Sequence, residues 1–214
     1  MTTFGFSAFL KLANLSAVRQ RSTIRERVRG DKKGGYDFHK AMRSICGRYL
    51  VDGTTLDECL REAAKIIQEA ERKSAIAAIT RLGEWRSRLS GDVFPVPSRT
   101  YESPRKEFKV RLDVDFGISI GGQRVAVHLW NTKFPALDLR LTRAALALFP
   151  GLYAGTDIND FAVLSLKTSQ LVRLQDASGT AVISARMVEA LEDMFIDLRS
   201  GGTSRPGIED RPRP

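Results

Sequence analysis

The sequence predicts an α+β fold: a helical N-terminal part followed by a mainly antiparallel sheet built on a long β-hairpin, with helices against it, in the order ββαβββα. Three observations lead there. Apolar residues recur at helical spacing through the first 91 positions, and from Phe108 the period changes to two. Between the two regimes lies "DVFPVPSRTYESPRK", residues 92–106, where Pro95, Pro97 and Pro104 interrupt regular structure. The implied organisation is a basic helical region at 1–91, a Pro-rich linker at 92–106, an α+β domain at 107–199 and a disordered tail at 200–214. The tail, "SGGTSRPGIEDRPRP", has too little apolar surface to offset the entropy of ordering it.

In the helical region, Phe6, Phe9, Leu10 and Ala13 share one face of a short opening helix. "STIRERVRG" has a capping-box spacing from Thr23 to Glu26 and a glycine stop, and a third helix is expected from near Asp37, burying Phe38, Met42 and Ile45. Thr54 and Thr55 then offer caps to a long segment ending at Ser90-Gly91. Its apolar seam runs through Leu56, Leu60, Ala63, Ile67 and Ala70 and resumes out of phase at Ala78, Leu82, Trp85 and Leu89. The slip predicts a break or a change of partner near Lys73-Ser74, and the length makes residues 55–90 a candidate seam for self-association or a protein partner.

From Phe108 to Ile120 apolar residues alternate with Lys109, Arg111, Asp113, Asp115, Gly117 and Ser119, the pattern of one half-buried strand. Gly121-Gly122 suits a two-residue hairpin turn, because glycine takes positive φ at no steric cost, and the return strand is Gln123 to Asn131. A helix follows from about Leu139 to Phe149, then the short strand candidates "FAVLSLKT", "LVRLQD" and "TAVIS", and a last helix from about Ser184 to Arg199.

Composition excludes several classes. No apolar run approaches the roughly 20 residues a bilayer-spanning helix needs, and the opening "MTTFGFSAFLKLANL" lacks the features of a signal peptide, so a soluble cytoplasmic protein without membrane contact is expected. Cys46 and Cys59 have no CxxC or Cys/His metal spacing and read as small buried hydrophobes. There is no Gly-rich phosphate loop with lysine, no HExxH and no nucleophile elbow; with His39 in the helical part, no triad is expected either, nor a resident cofactor or metal.

The hairpin raises one chemical question. With a two-residue turn, opposed residues have numbers summing to 243, so Ile118 faces Val125, Phe116 faces Val127 and Val114 faces Leu129 on an apolar face. On the other face Asp115 meets His128 and Asp113 meets Trp130. An acid beside an imidazole serves either as a cross-strand ion pair or for acid–base work.

A strand bearing Asp, a tight turn and a strand with two functional positions one residue apart resembles the core of the restriction-endonuclease-like PD-(D/E)xK nucleases, over about residues 107–167. That resemblance implies a hairpin, a helix and a further strand. It matches Asp115 to the first metal-holding Asp, and places His128 at the acidic and Trp130 at the lysine position of the triplet. Both depart from the family pattern. Magnesium prefers oxygen ligands and tryptophan cannot replace an ammonium, so the resemblance implies lost chemistry, or a divergent nuclease using Asp113, Asp115 and His128 with an ion such as manganese. Register does not assign Lys133 to that face.

The net charge of +9 is concentrated at one end: residues 1–48 hold 11 Lys/Arg against 3 Asp/Glu. Arg21, Arg25 and Arg29 recur every fourth residue, flanked by Arg19, Arg27, Lys32 and Lys33, and Lys40, Arg43 and Tyr36 could extend the patch. Guanidinium groups bind phosphates bidentately. The leading expectation is therefore a non-enzymatic binding or adaptor protein contacting nucleic-acid phosphates through Arg19, Arg21, Arg25, Arg29, Lys32 and Lys33, with the divergent or inactive nuclease as the alternative.

Overall fold

The computed structural model describes residues 1–30, 38–175 and 179–201. Its elements are β1 (Thr2–Gly5), α1 (Phe6–Ala13), α2 (Ala17–Val28), α3 (Lys40–Val51), α4 (Leu56–Ala63), α5 (Glu69–Arg86), β2 (Val93–Phe94), β3 (Arg99–Glu102), β4 (Phe108–Leu112), β5 (Phe116–Ile120) and β6 (Gln123–Trp130). There follow α6 (Leu139–Leu146), a single 3-10 turn (Pro150–Tyr153), β7 (Asp160–Ser165), β8 (Gln170–Arg173) and α7 (Thr180–Arg199). The fold is mixed α and β, with helices throughout the chain, so neither the order ββαβββα nor a helical half followed by a sheet half describes it.

Two sheets form, and each mixes parallel with antiparallel pairs. In the smaller, β4 lies between β1, which pairs with it in parallel, and β3, which pairs antiparallel. The larger runs β2-β5-β6-β7-β8, with β6 and β7 parallel and the other pairs antiparallel. The hairpin register is the expected one: Ile120 opposes Gln123, Ile118 opposes Val125 and Phe116 opposes Val127, and Gly121 and Gly122 turn the chain with φ of +58° and +78°.

The larger sheet is covered on both faces, which accounts for its apolar strands. On one face Phe116, Ile118, Val125, Val127, Leu129, Ala162 and Leu164 pack against α3, α4 and α5 through Met42, Ile45, Cys59, Ala78, Ile79, Leu82 and Trp85. On the other, Ala126, Trp130, Phe161 and Val163 meet a core from α1, α6, α7 and the smaller sheet, in which Phe108 stacks on Phe9 and Phe195 and Phe4 meets all three rings edge-on. Both cores draw on residues before and after 92–106, and that segment, expected as a linker, carries β2 and β3.

Several expected elements need correction. The single strand 108–120 is two strands in different sheets, because residues 113–115 carry the chain across between them. "TAVIS" is the first turn of α7; five residues are too few to separate a period of 2 from 3.6. Thr23 lies inside α2, which begins after Ser16 in an extended conformation, so the Thr23–Glu26 spacing caps nothing. The segment from Thr54 breaks at residues 64–68 rather than at Lys73-Ser74: α4 opens with the Thr55–Glu58 capping box, and Arg72 of α5 donates to the carbonyls of Ile66 and Ile67 in the break. Leu56 crosses α5 at Gly83, where a β-carbon would come within 2.8 Å of the leucine. Of the seam considered for self-association over 55–90, Ala63, Ala78, Leu82 and Trp85 are buried within the chain and Leu56, Leu60 and Leu89 partly so, while Ile67 and Ala70 are exposed.

Cys46 and Cys59 are buried and unpaired with each other; burial, then the nearby charges of Asp115 and Cys59, pushes the Cys46 thiol far above its usual range. Lys32, Lys33 and Tyr36, and the tail from Gly202, lie outside the described residues. No helix among the described residues is long and apolar enough to cross a membrane.

Candidate functional site

The crossing between the sheets builds the site. At its first residue, Asp113 accepts hydrogen bonds from Ser98 Oγ at 2.7 Å and from Arg111 Nε at 2.7 Å. At its last, the Asp115 amide donates to the Val127 carbonyl at 3.2 Å, and Asp115 Oδ2 accepts the Leu129 amide at 2.7 Å. These two bonds extend the hairpin alignment by one residue and set Asp115 opposite His128. Pairing goes no further: Asp113 points to Ser98 and Arg111 rather than facing Trp130, and Val114 and Leu129 are not ladder partners.

The imidazole of His128 lies between two groups. Its Nδ1 is 3.0 Å from Asp115 Oδ2, off the straight line of a hydrogen bond, with side-chain exposures of 4% and 8% for the pair. Its Nε2 is 2.8 Å from Ser7 Oγ, which also accepts from Arg43 Nη1 at 3.1 Å. The carboxylate beside Nδ1 can only accept, which favours the tautomer with the proton on Nδ1 and leaves Nε2 to accept from the serine. The Phe6 ring meets the imidazole edge-on at 5.0 Å between centroids and fixes its plane.

Ser7 reaches this position through a non-local strand. Parallel pairing of β1 with β4 sets Gly5 beside Arg111, and the chain then turns directly into α1, whose second residue is Ser7. No side chain caps α1. The resulting cleft, about 330 Å³, is lined by Gly5, Phe6, Ser7, Arg43, Arg111, Asp113, Val114, Asp115 and His128.

Two further cavities share lining residues with this cleft in turn, and the three together are called the groove. Ser7 and Arg43 also wall a second cavity of about 140 Å³ with His39, Met42, Leu129, Trp130, Asn131 and Thr132. Trp130 and Thr132 in turn wall a third of about 410 Å³, with Lys133, Ala136, Leu137, Ser165, Lys167, Thr168 and Gln170. The groove follows β6 to the carboxyl ends of the parallel pair β6 and β7, where open α/β sheets usually bind ligands. At that end desolvation, and then the positive charges of Arg81 and Lys133, push the Lys167 ammonium below its usual range.

No protein-family model and no curated protein matches the chain. A solved structure described as "Crystal structure of SSO0001" aligns over 82% of this chain and 83% of its own, at 14% identity and a TM-score of 0.31, too distant to bear on fold or chemistry.

Of the residues singled out in the hairpin, Asp115 and His128 come into contact, while Asp113 lines the same cleft but is turned to Arg111 and Ser98. Among the described residues no group of three or more His, Cys, Asp or Glu side chains is placed to hold a metal ion. The arginines of α2 separate. Arg21 pairs with Asp197 of α7 at 3.3 Å, and Arg27, which sequence spacing placed at the edge of the patch, lies over the Phe4 ring at 4.4 Å, where burial lowers its pKa. Arg19 lies over the exposed Phe134 ring at 5.0 Å, and Arg25 and Arg29 are exposed. Of the expected stripe, Arg21 is engaged by Asp197 in an exposed pair where α2 packs on α7, while Arg25 and Arg29 remain exposed.

Ser7 and Lys167 were missed. No triad is expected from the sequence because His39 lies in the helical part, and only the pairing of β1 with β4, across more than 100 residues, brings Ser7 to His128. The one local signal was "GFS" at the junction of strand and helix.

Proposed function

We propose that the protein binds nucleic-acid phosphates along the groove at the carboxyl ends of β6 and β7, with Lys133, Lys167 and Arg43 as phosphate contacts. The observation that carries this reading is that Lys133 and Lys167 line one cavity, with Arg81 bonded to the neighbouring Leu166 carbonyl and close enough to act on Lys167, so that like charges repel until an anion offsets them. The exposed Phe134, with Arg19 over its ring, offers a stacking surface for a base beside the same loop. The sequence-independent contact expected of the basic N-terminal region is thereby moved from one face of α2 to the groove, with Arg19 at its margin.

The test is fluorescence anisotropy with a labelled single-stranded oligonucleotide at several salt concentrations. The paired variant Lys133→Ala/Lys167→Ala is expected to weaken binding and to reduce the slope of log K against log salt by about 1.4, two contacts at about 0.7 each. Arg25→Ala/Arg29→Ala is expected to change the slope much less. Absence of wild-type binding at low salt, or loss confined to the α2 pair, would overturn the proposal.

A further inference from the structure

We propose that Ser7 is a nucleophile, with His128 as its base, acting on small carboxylic esters in the cleft at the start of α1. Four features converge on the hydroxyl. It lies 2.8 Å from an imidazole nitrogen, within reach for proton transfer. The far side of that imidazole faces a buried carboxylate at 3.0 Å, itself fixed by the Leu129 amide. The hydroxyl oxygen accepts from Arg43, whose guanidinium can stabilise negative charge as it develops on an attacked carbonyl oxygen. Ser7 also lines a cleft of about 330 Å³, room for a small acyl group. A brace that merely tied α1 to β6 would need neither the carboxylate behind the imidazole nor the cleft beside the serine.

The lining also narrows the substrate. Arg43 and Arg111 are balanced in formal charge by Asp113 and Asp115, so the cleft does not call for a highly charged group, and a neutral ester fits it. Ser7 Oγ forms a bond to the carbonyl carbon as His128 Nε2 takes the hydroxyl proton. The C–O bond to the alcohol then breaks, and the alcohol oxygen leaves with the proton from Nε2. Water repeats the cycle on the acyl-serine: Nε2 takes a proton from water, the new C–O bond forms, and the proton returns to Ser7 Oγ as the acid departs. Ser7 and His128 are the catalytic residues; Asp115 and Arg43 are positioning and charge-stabilising residues.

The experiment uses the full chain and a fluorophosphonate probe, which forms a Ser Oγ–P bond with loss of fluoride and transfer of the serine proton to the base. Tryptic mapping should place the adduct in Met1–Lys11, where Ser7 is the only serine. Ser7→Ala should abolish it, and His128→Gln, with its fold checked by circular dichroism, should slow labelling at least about 100-fold. His128→Asn gives the same reading should the glutamine variant not fold. Asp115→Asn should slow labelling less and displace its pH profile, which loss of a simple brace would not do. Hydrolysis of p-nitrophenyl acetate should follow the same order. An unlabelled wild type, an adduct on another residue, or equal labelling in the His128 variants would each overturn the proposal. None of these outcomes depends on nucleic-acid binding, so the two proposals fail separately.

Discussion

Replacing Asp115 by Ala removes two things at once: the acceptor for the Leu129 amide at 2.7 Å and the carboxylate 3.0 Å from His128 Nδ1. An orphaned part-buried amide costs about 1–3 kcal/mol. The carboxylate's contact with the imidazole adds an interaction with a charged group, worth about 1.5–3 kcal/mol when well aligned, across a pair whose side-chain exposures are 8% for Asp115 and 4% for His128. The single variant should therefore lose about 3 kcal/mol, of which the amide accounts for about half. In a His128→Ala background only the amide share remains, so the two substitutions should couple by about 1–2 kcal/mol. The assay is urea denaturation of the wild type, both single variants and the double variant, followed by tryptophan fluorescence, with slopes compared to exclude changes in the unfolded state. A coupling energy within about 0.3 kcal/mol of zero would refute the reasoning, since that is how separate sites behave.

Two further expectations concern the frame. Phe195, fully buried and packed on Phe108 and Phe4 at ring distances of 5.7 and 6.1 Å, should cost about 3–5 kcal/mol when changed to Ala, read as a lowered urea midpoint. Glu192 is 3% exposed; burial alone would raise its pKa, but hydrogen bonds from the Arg105 side chain and amide and from Ser103 outweigh that and hold it below the ordinary carboxylate range. A depressed folded value contributes stability above the unfolded pKa and loses it as pH falls through the folded one, so Glu192→Gln should flatten the acid limb of the stability profile. An unchanged limb would assign acid sensitivity elsewhere.

How much was legible in the sequence follows from the range over which each feature is determined. The β5–β6 hairpin, its glycine turn and the Asp115–His128 encounter are local, set by alternation and a two-residue loop, and they hold in the structure. The opening face of Phe6, Phe9 and Leu10 is likewise buried as its spacing predicts. What failed is non-local. Alternation from Phe108 to Ile120 runs unbroken through Asp113 and Asp115, so no residue announces that the chain changes sheets there. β1 is four residues at the N terminus and acquires meaning only by pairing with β4. Arg21, Arg25 and Arg29 have the spacing of a solvated stripe, but packing of α2 on α7 brings Asp197 to Arg21. Lys133 could not be assigned a side by alternation, because β6 ends at Trp130 and the next regular element begins only at Leu139.

The central claim is that a nucleic-acid strand lies in the groove beyond His128 rather than on α2. Photocrosslinking of a 4-thiouridine-substituted strand to the intact protein, with the crosslinked peptides identified by mass spectrometry, tests it directly. Crosslinks should fall on the segments carrying Trp130 to Phe134 and Ser165 to Thr168, and should be lost on competition with unlabelled strand. Crosslinks confined to the peptides of α2 would contradict it.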